Sequence, residues 1–96
     1  MSPIYKKKLI SLRSKLDSLD NELLKLIKKR SNLVNEVIKV KVYKKEIIDQ
    51  NRIDFILKKI KKKSIQLKID PKITNRIWKN MIWSFIDYEN RNFKKK

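Results

Sequence analysis

An arginine interrupts an otherwise aliphatic stripe in the first half of the chain. Positions spaced alternately three and four residues apart form the seam of a helix that packs along its whole length. The seam consists of Leu9, Leu12, Leu16, Leu19, Leu23, Leu26, Arg30, Leu33, Val37 and Val40. Burying a guanidinium among apolar side chains costs free energy unless an anion pairs with it. Arg30 therefore predicts a site that binds an anionic ligand.

Two further cations, Arg13 and Lys41, fit the same site if the helix pairs with a second copy. At the rise of an α-helix, Arg13 and Arg30 lie about 25 Å apart, whereas Arg30 and Lys41 share a face about 16 Å apart. An antiparallel pair that crosses near Leu24 places Arg13 of the second copy between Arg30 and Lys41. The three cations then suit a small dicarboxylate. Taken alone, Arg13 and Lys41 would be interpreted as solvated charges.

Glu89 is the acidic candidate. It follows Phe85 by four residues and Ile82 by seven, which places it on an apolar helix face. A carboxyl buried there would favour its neutral form, and a neutral acid can donate a hydrogen bond to a ligand oxygen. The alternative is a frayed helix end with Glu89 in water, and the spacing does not decide between the two.

Three helices are predicted to position these residues, over about 4–42, 50–66 and 71–91, in an all-α fold. The stretch 37–43 also alternates as a strand would, but the seam continues through it. Asp49 is the predicted N-cap of the second helix, and Asp70 followed by Pro71 marks the start of the third. The segment 61–64 is expected to be a solvated helix end. The predicted inner faces comprise Ile53, Ile56, Leu57 and Ile60 on the second helix, and Ile73, Ile77, Trp78, Met81, Ile82, Phe85 and Tyr88 on the third.

The length of the first helix predicts the assembly. A helix of about 39 residues is about 58 Å long, and two short helices do not cover such a face in a compact monomer. We therefore expect a single domain over residues 1–96 that forms an intertwined, two-fold symmetric homodimer.

The amino-acid composition excludes several kinds of functional site. The chain has no Gly, Cys, His or Ala, which excludes glycine-rich phosphate loops, thiol nucleophiles, imidazole bases and the usual zinc ligands. We see no clustered carboxylates for a metal, no cofactor motif, no signal peptide and no transmembrane run, so the cytoplasm is the expected location. The net charge of +17 indicates either a polyanionic partner or a compositional bias. The dispersed lysines favour the bias, and neither nucleic acid nor membrane is expected as a partner.

Taken together, the candidate residues resemble one known family. The matching residues are Leu12-Arg13, Leu19-Asp20, Leu23-Leu24, Arg30, Lys41, Asp49, Arg52 and the stretch from Ile69-Asp70-Pro71 to Glu89. Their order and spacing, over about residues 9–91, resemble the all-helical class of chorismate mutases. The resemblance implies an intertwined dimer that converts chorismate to prephenate in aromatic amino-acid biosynthesis. The reaction is a Claisen rearrangement without cofactor or covalent intermediate.

The resemblance also implies a role for each matching residue. Arg13 of the partner chain would bind one substrate carboxylate and Arg30 the other. Lys41 would reach the ether oxygen, and Glu89 stands where the family has Gln or Glu that donates to that oxygen. Asp49 and Arg52 would shape the pocket near the substrate hydroxyl and the ring carboxylate.

Two positions depart from the family pattern. Ile53 stands where bacterial mutases often have Glu, and Phe85 where they often have a small hydroxyl residue. The loop after Lys41 in this chain is also about one residue short of the family pattern. Related isochorismate pyruvate lyases, which serve salicylate synthesis, look apolar at the positions of Ile53 and Phe85. A lyase therefore stays open as an alternative to the mutase. A basic helical dimer that binds nucleic acid is a third interpretation, of a different class.

Overall fold

The computed structural model describes residues 2–94. Met1, Lys95 and Lys96, which the single-domain prediction includes, lie outside the described residues. The elements are α1 (Pro3–Val40), a short 3₁₀ helix (Lys44–Glu46), α2 (Gln50–Gln66) and α3 (Pro71–Asn92). There is no strand between residues 2 and 94, and the prediction of an all-α fold with three helices is confirmed.

The helix starts follow from their capping residues. One Asp49 carboxylate oxygen accepts the backbone N–H of Arg52 at 3.0 Å at the start of α2. Asp70 accepts the backbone N–H of Lys72 at 2.9 Å, and Pro71 occupies the first position of α3. Both predicted N-caps are therefore confirmed, because each side chain satisfies a backbone donor that the helix leaves open.

The first helix ends at Val40, two residues before the predicted end. The backbone N–H of Lys41 still bonds to the carbonyl of Val37 at 3.2 Å, and the chain then turns into the 3₁₀ helix. The Glu46 side chain accepts the backbone N–H of Tyr43 at 3.0 Å, which fixes the start of that turn. The segment between the first and second predicted helices therefore contains ordered structure.

A lysine takes the place that glycine usually has at the end of α2. Lys68 adopts a φ of 59°, in the left-handed region. Its N–H bonds to the carbonyl of Ile65, and the N–H of Ile69 bonds to the carbonyl of Ser64. These two bonds form a Schellman motif, which closes α2 in a chain without glycine.

The chain divides into two compact units, residues 1–33 and 34–96. The first consists of the N-terminal part of α1. Between residues 2 and 33 no residue is buried, and only Leu9, Arg30 and Ser31 are half-buried. The exposed large aliphatic residues of this unit are Ile4, Ile10, Leu12, Leu16, Leu19, Leu23, Leu24, Leu26, Ile27 and Leu33.

The second unit contains the hydrophobic core. Its hydrophobic cluster comes from α2, α3 and the segment before α2: it consists of Ile47, Ile53, Ile82 and Ile86, with Ile56, Leu57 and Phe93 packed against it. Val34 on α1 is buried as well. Near the end of α2 and the start of α3, Ser64 and Thr74 share a buried hydrogen bond of 2.7 Å between their hydroxyl oxygens. The predicted inner face of α2 is confirmed.

Two predictions about burial are wrong. Ser64 is buried, although 61–64 was expected to be a solvated end, because its hydroxyl bonds to Thr74 and to the carbonyl of Ile60. Ile73 and Ile77 are exposed in the chain. The buried face of α3 includes the polar Thr74 together with Ile82 and Ile86. Because the prediction considered apolar residues alone, it placed the buried face too far around the helix.

Candidate active site

A lysine and a glutamate form an ion pair in the second unit. The Nζ atom of Lys41 donates to Oε1 of Glu89 at 3.1 Å. The two side chains are 18% and 9% exposed, whereas the side chains of the pairs Lys25–Glu22, Lys39–Glu36 and Arg91–Asp87 are about two-thirds exposed. A pair so withdrawn from water interacts more strongly than a surface pair, since solvent screens it less.

The position of Glu89 follows from the geometry of α3. Glu89 continues the buried line of Ile82 and Ile86 by one further turn and is itself buried. The prediction of a carboxyl on the apolar face is confirmed, and the alternative of a frayed end in water is wrong. The sequence did not show that Lys41, 48 residues earlier, would be its partner.

A cleft of about 410 Å³ adjoins the lysine. Its lining residues are Lys41, Glu46, Ile48, Asp49, Gln50 and Asn51. Such a volume lies in the range of small-molecule sites, and the lining combines the Lys41 ammonium group with two carboxylates and two amides. The cleft therefore fits a small polar molecule that reaches from Lys41 toward the start of α2.

Glu89 does not line this cleft, and three further predicted site residues of the second unit lie outside the lining as well. Arg52 is exposed, and its guanidinium carbon lies 5.4 Å from the ring centre of Phe55. Ile53 belongs to the core, so its apolar side chain has a structural use. Phe85 is half-buried on α3, one turn before Glu89. The structure brings Lys41 together with Glu89 and with Asp49, but it does not bring Arg52 or Ile53 to the same cleft.

Arg13 and Arg30 both belong to the first unit. Arg13 is exposed, and Arg30 is half-buried. Their assignment to a shared site stays a prediction.

One polar contact near the ion pair was not predicted. The Tyr88 hydroxyl donates to the Asn35 side-chain oxygen at 2.7 Å. Tyr88 was predicted only as an inward-facing aromatic residue, and no pattern in the sequence singles out Asn35. Such a contact is invisible to periodicity, because its two residues are 53 positions apart.

The donors at the site determine the chemistry that it can do. An ammonium group with three N–H donors can bind an oxygen on which negative charge develops, while a neighbouring carboxyl keeps it oriented. Within residues 2–94 there is no group of His, Cys, Asp or Glu residues that could hold a metal ion. No helix in that range is long and apolar enough to cross a membrane.

Comparison with known proteins identifies one family. The family model for chorismate mutase type II matches residues 12–90, which includes every candidate site residue. No curated protein and no solved structure matches the chain significantly.

Proposed function

The chain belongs to the chorismate mutase type II family and is a chorismate mutase, and we propose that it rearranges chorismate at a site centred on Lys41 and Glu89. The observation that supports this proposal is the withdrawn ion pair between these side chains, which adjoins a cleft of suitable size. The family shows the reaction, whereas the roles of the individual residues are our proposal.

The protein takes little part in the covalent chemistry of the reaction. In the Claisen rearrangement the ether C–O bond of chorismate breaks while a C–C bond forms within the same molecule. No atom, proton or electron enters or leaves. Catalysis then consists of holding the substrate in its compact conformer and stabilising the charge that grows on the ether oxygen.

Lys41 supplies the main stabilising donor. Its ammonium group has three N–H bonds, of which one points to Glu89. A second N–H is then available for the ether oxygen. We propose that the Glu89 carboxylate orients Lys41 toward that oxygen. The interaction between Lys41 and the ether oxygen strengthens as the C–O bond opens, so it favours the transition state over the substrate.

The two carboxylates of chorismate require further cations. We propose that Arg30 binds one of them and that Arg13 of the partner subunit binds the other. A guanidinium suits this task because its planar fork pairs with a carboxylate through two parallel hydrogen bonds. The scarcity of arginine supports the choice, since the chain otherwise uses lysine for its positive charge.

The end of the pocket is assigned to α2 and α3. Asp49, which lines the cleft, would lie near the substrate hydroxyl. Arg52 would have to leave the ring of Phe55 to reach the ring carboxylate. We propose that Ile53 supports this end from the core and that Phe85 supplies an apolar wall one turn before Glu89.

A homodimer is part of the proposal. Ten large aliphatic residues are exposed between residues 2 and 33, on a helix that buries none of its own side chains there. An apolar surface of this extent is typical of an interface. We propose that a second copy covers it in a two-fold symmetric arrangement, which also brings in the second arginine.

The product defines the biological context. Prephenate precedes phenylalanine and tyrosine, so we propose that the enzyme serves the shikimate pathway in the cytoplasm. Release of prephenate without further conversion in the assay below would agree with this place in the pathway.

The proposed function is tested by incubating the purified protein with chorismate and identifying the product. We expect stoichiometric prephenate without added metal or cofactor. Isochorismate, tested in parallel, should release little pyruvate. Faster release of pyruvate from isochorismate than formation of prephenate from chorismate would identify a lyase instead and overturn the proposal. Salt-sensitive nucleic-acid binding without turnover of either substrate would also overturn it.

A further inference from the structure

The tyrosine that precedes Glu89 is hydrogen-bonded to the segment that leads to Lys41. Tyr88 immediately precedes Glu89 on α3, and its hydroxyl donates to Asn35, six residues before Lys41. Both side chains of this contact are half-buried. The family resemblance gives neither Tyr88 nor Asn35 a role.

The two segments are therefore linked twice. One link is the Tyr88–Asn35 hydrogen bond of 2.7 Å, and the other is the Lys41–Glu89 ion pair of 3.1 Å. The first joins two neutral side chains. The second joins the two groups that the proposed reaction uses.

Lys41 needs such support because it lies just beyond the last residue of α1. Its backbone N–H reaches the carbonyl of Val37 at 3.2 Å, which is at the long end of the range for N–H···O bonds. A residue at a helix end is held by fewer backbone bonds than one in the interior. Side-chain contacts to α3 must therefore fix its position.

Substrate binding changes the two links differently. When the ether oxygen takes a donor from Lys41, the ion pair with Glu89 must weaken or rearrange. The Tyr88–Asn35 bond contains no group that the substrate uses, so it persists through the reaction. It can then hold the end of α1 at a constant distance from α3.

We propose that Tyr88 is a positioning residue, which through Asn35 holds Lys41 and Glu89 in their catalytic arrangement during turnover. The proposal rests on the proposed roles of Lys41 and Glu89. It predicts an effect on the chemical step, because displacement of a catalytic group by about 1 Å can lower the rate about a hundredfold.

The test is Tyr88→Phe, which removes only the hydroxyl oxygen. We expect kcat to fall about tenfold while KM changes less than about twofold, because the substrate carboxylates are bound elsewhere. Tyr43→Phe is the matched control, since it removes an exposed phenol oxygen from the same unit. That variant should keep the kcat of the parent enzyme.

A double-mutant cycle separates positioning from general damage. Asn35→Leu should lower kcat as much as Tyr88→Phe, and the combined variant should lose no more than either single variant. Circular dichroism and thermal melting establish that each variant is folded at the assay temperature.

Several results would overturn the proposal. They are an unchanged kcat in Tyr88→Phe, an equal loss in Tyr43→Phe, or losses that multiply in the combined variant. A loss that disappears when the assay is run well below the melting temperature would show a purely structural contact. If the parent enzyme itself formed no prephenate, the proposed function would fail instead, so the two failures are distinguishable.

Discussion

Residues 2–33 and residues 34–94 differ in what they bury. The later region contains all the buried residues described: Val34, Ile47, Ile53, Ser64, Thr74, Ile82, Ile86 and Glu89. The earlier region buries none, although its helix exposes ten large aliphatic side chains. A single helix cannot cover its own apolar stripe. The later region therefore has a hydrophobic core of its own, whereas the earlier region leaves its aliphatic side chains exposed, and these are the side chains that we propose a second copy covers.

We expect the largest effect when a charge is placed among the exposed aliphatic side chains of residues 2–33. Leu23→Glu places a carboxylate where we propose that two copies meet, near the two-fold axis. Burying an unpaired charge is far more costly than the loss of about 2 kcal/mol for one leucine. We expect monomers, reduced helix content and no measurable mutase activity, as shown by analytical ultracentrifugation, circular dichroism and assay.

Lys28→Glu is the control, because it introduces the same group away from the stripe. It should stay dimeric and active. A fully dimeric, active Leu23→Glu variant would contradict the proposed interface.

The second prediction concerns Arg30, the half-buried cation of the earlier region. Loss of one partner of a buried charge pair costs about 2–5 kcal/mol. Arg30→Ala should therefore lower kcat/KM at least about thirtyfold while the dimer persists. Arg76→Ala, which removes an exposed arginine on α3, controls for the change in net charge and should have little effect. Equal losses in both variants would refute a specific role for Arg30.

The third prediction separates stability from activity at the ion pair. Lys41→Met leaves the buried Glu89 carboxylate without its cation, which should lower the free energy of unfolding by about 3 kcal/mol. Adding Glu89→Leu removes the stranded charge and should restore most of that stability. Both variants should be inactive. Urea unfolding checks the stabilities, and a double variant that regains activity would show that the pair is not catalytic.

The smallest effect is expected far from the chemistry. Thr74→Val removes one partner of the buried hydroxyl pair that joins α2 and α3. The hydroxyl of Ser64 keeps its bond to the carbonyl of Ile60, so we expect a loss of only about 1 kcal/mol. The kcat should not change. A large loss of activity at full stability would show that this end of α2 and α3 communicates with the site.

The sequence predicted the helices well because their signals are local. Asp49 and Asp70 cap the helices that they were expected to cap, and the spacing of Glu89 placed it on a buried face. The sequence did not reveal what depends on distant pairs. The partner of Glu89 and the contact between Tyr88 and Asn35 join residues about 50 positions apart, which no periodicity encodes. The sequence did not predict that Ser64 is buried, because its hydroxyl is paired with that of Thr74, ten positions later.

The central claim, that each site needs cations from two chains, is tested most directly by mixing two inactive variants. Arg13→Ala and Lys41→Met chains are combined in equal amounts under conditions in which subunits exchange. Half of the dimers should then be mixed, and each mixed dimer should contain one intact site. We expect recovery of about a quarter of the activity of the parent enzyme, because the two lesions fall in the same site of the mixed dimer and leave the other whole. No recovery, with exchange proven by mass spectrometry of the mixed dimers, would contradict the shared site.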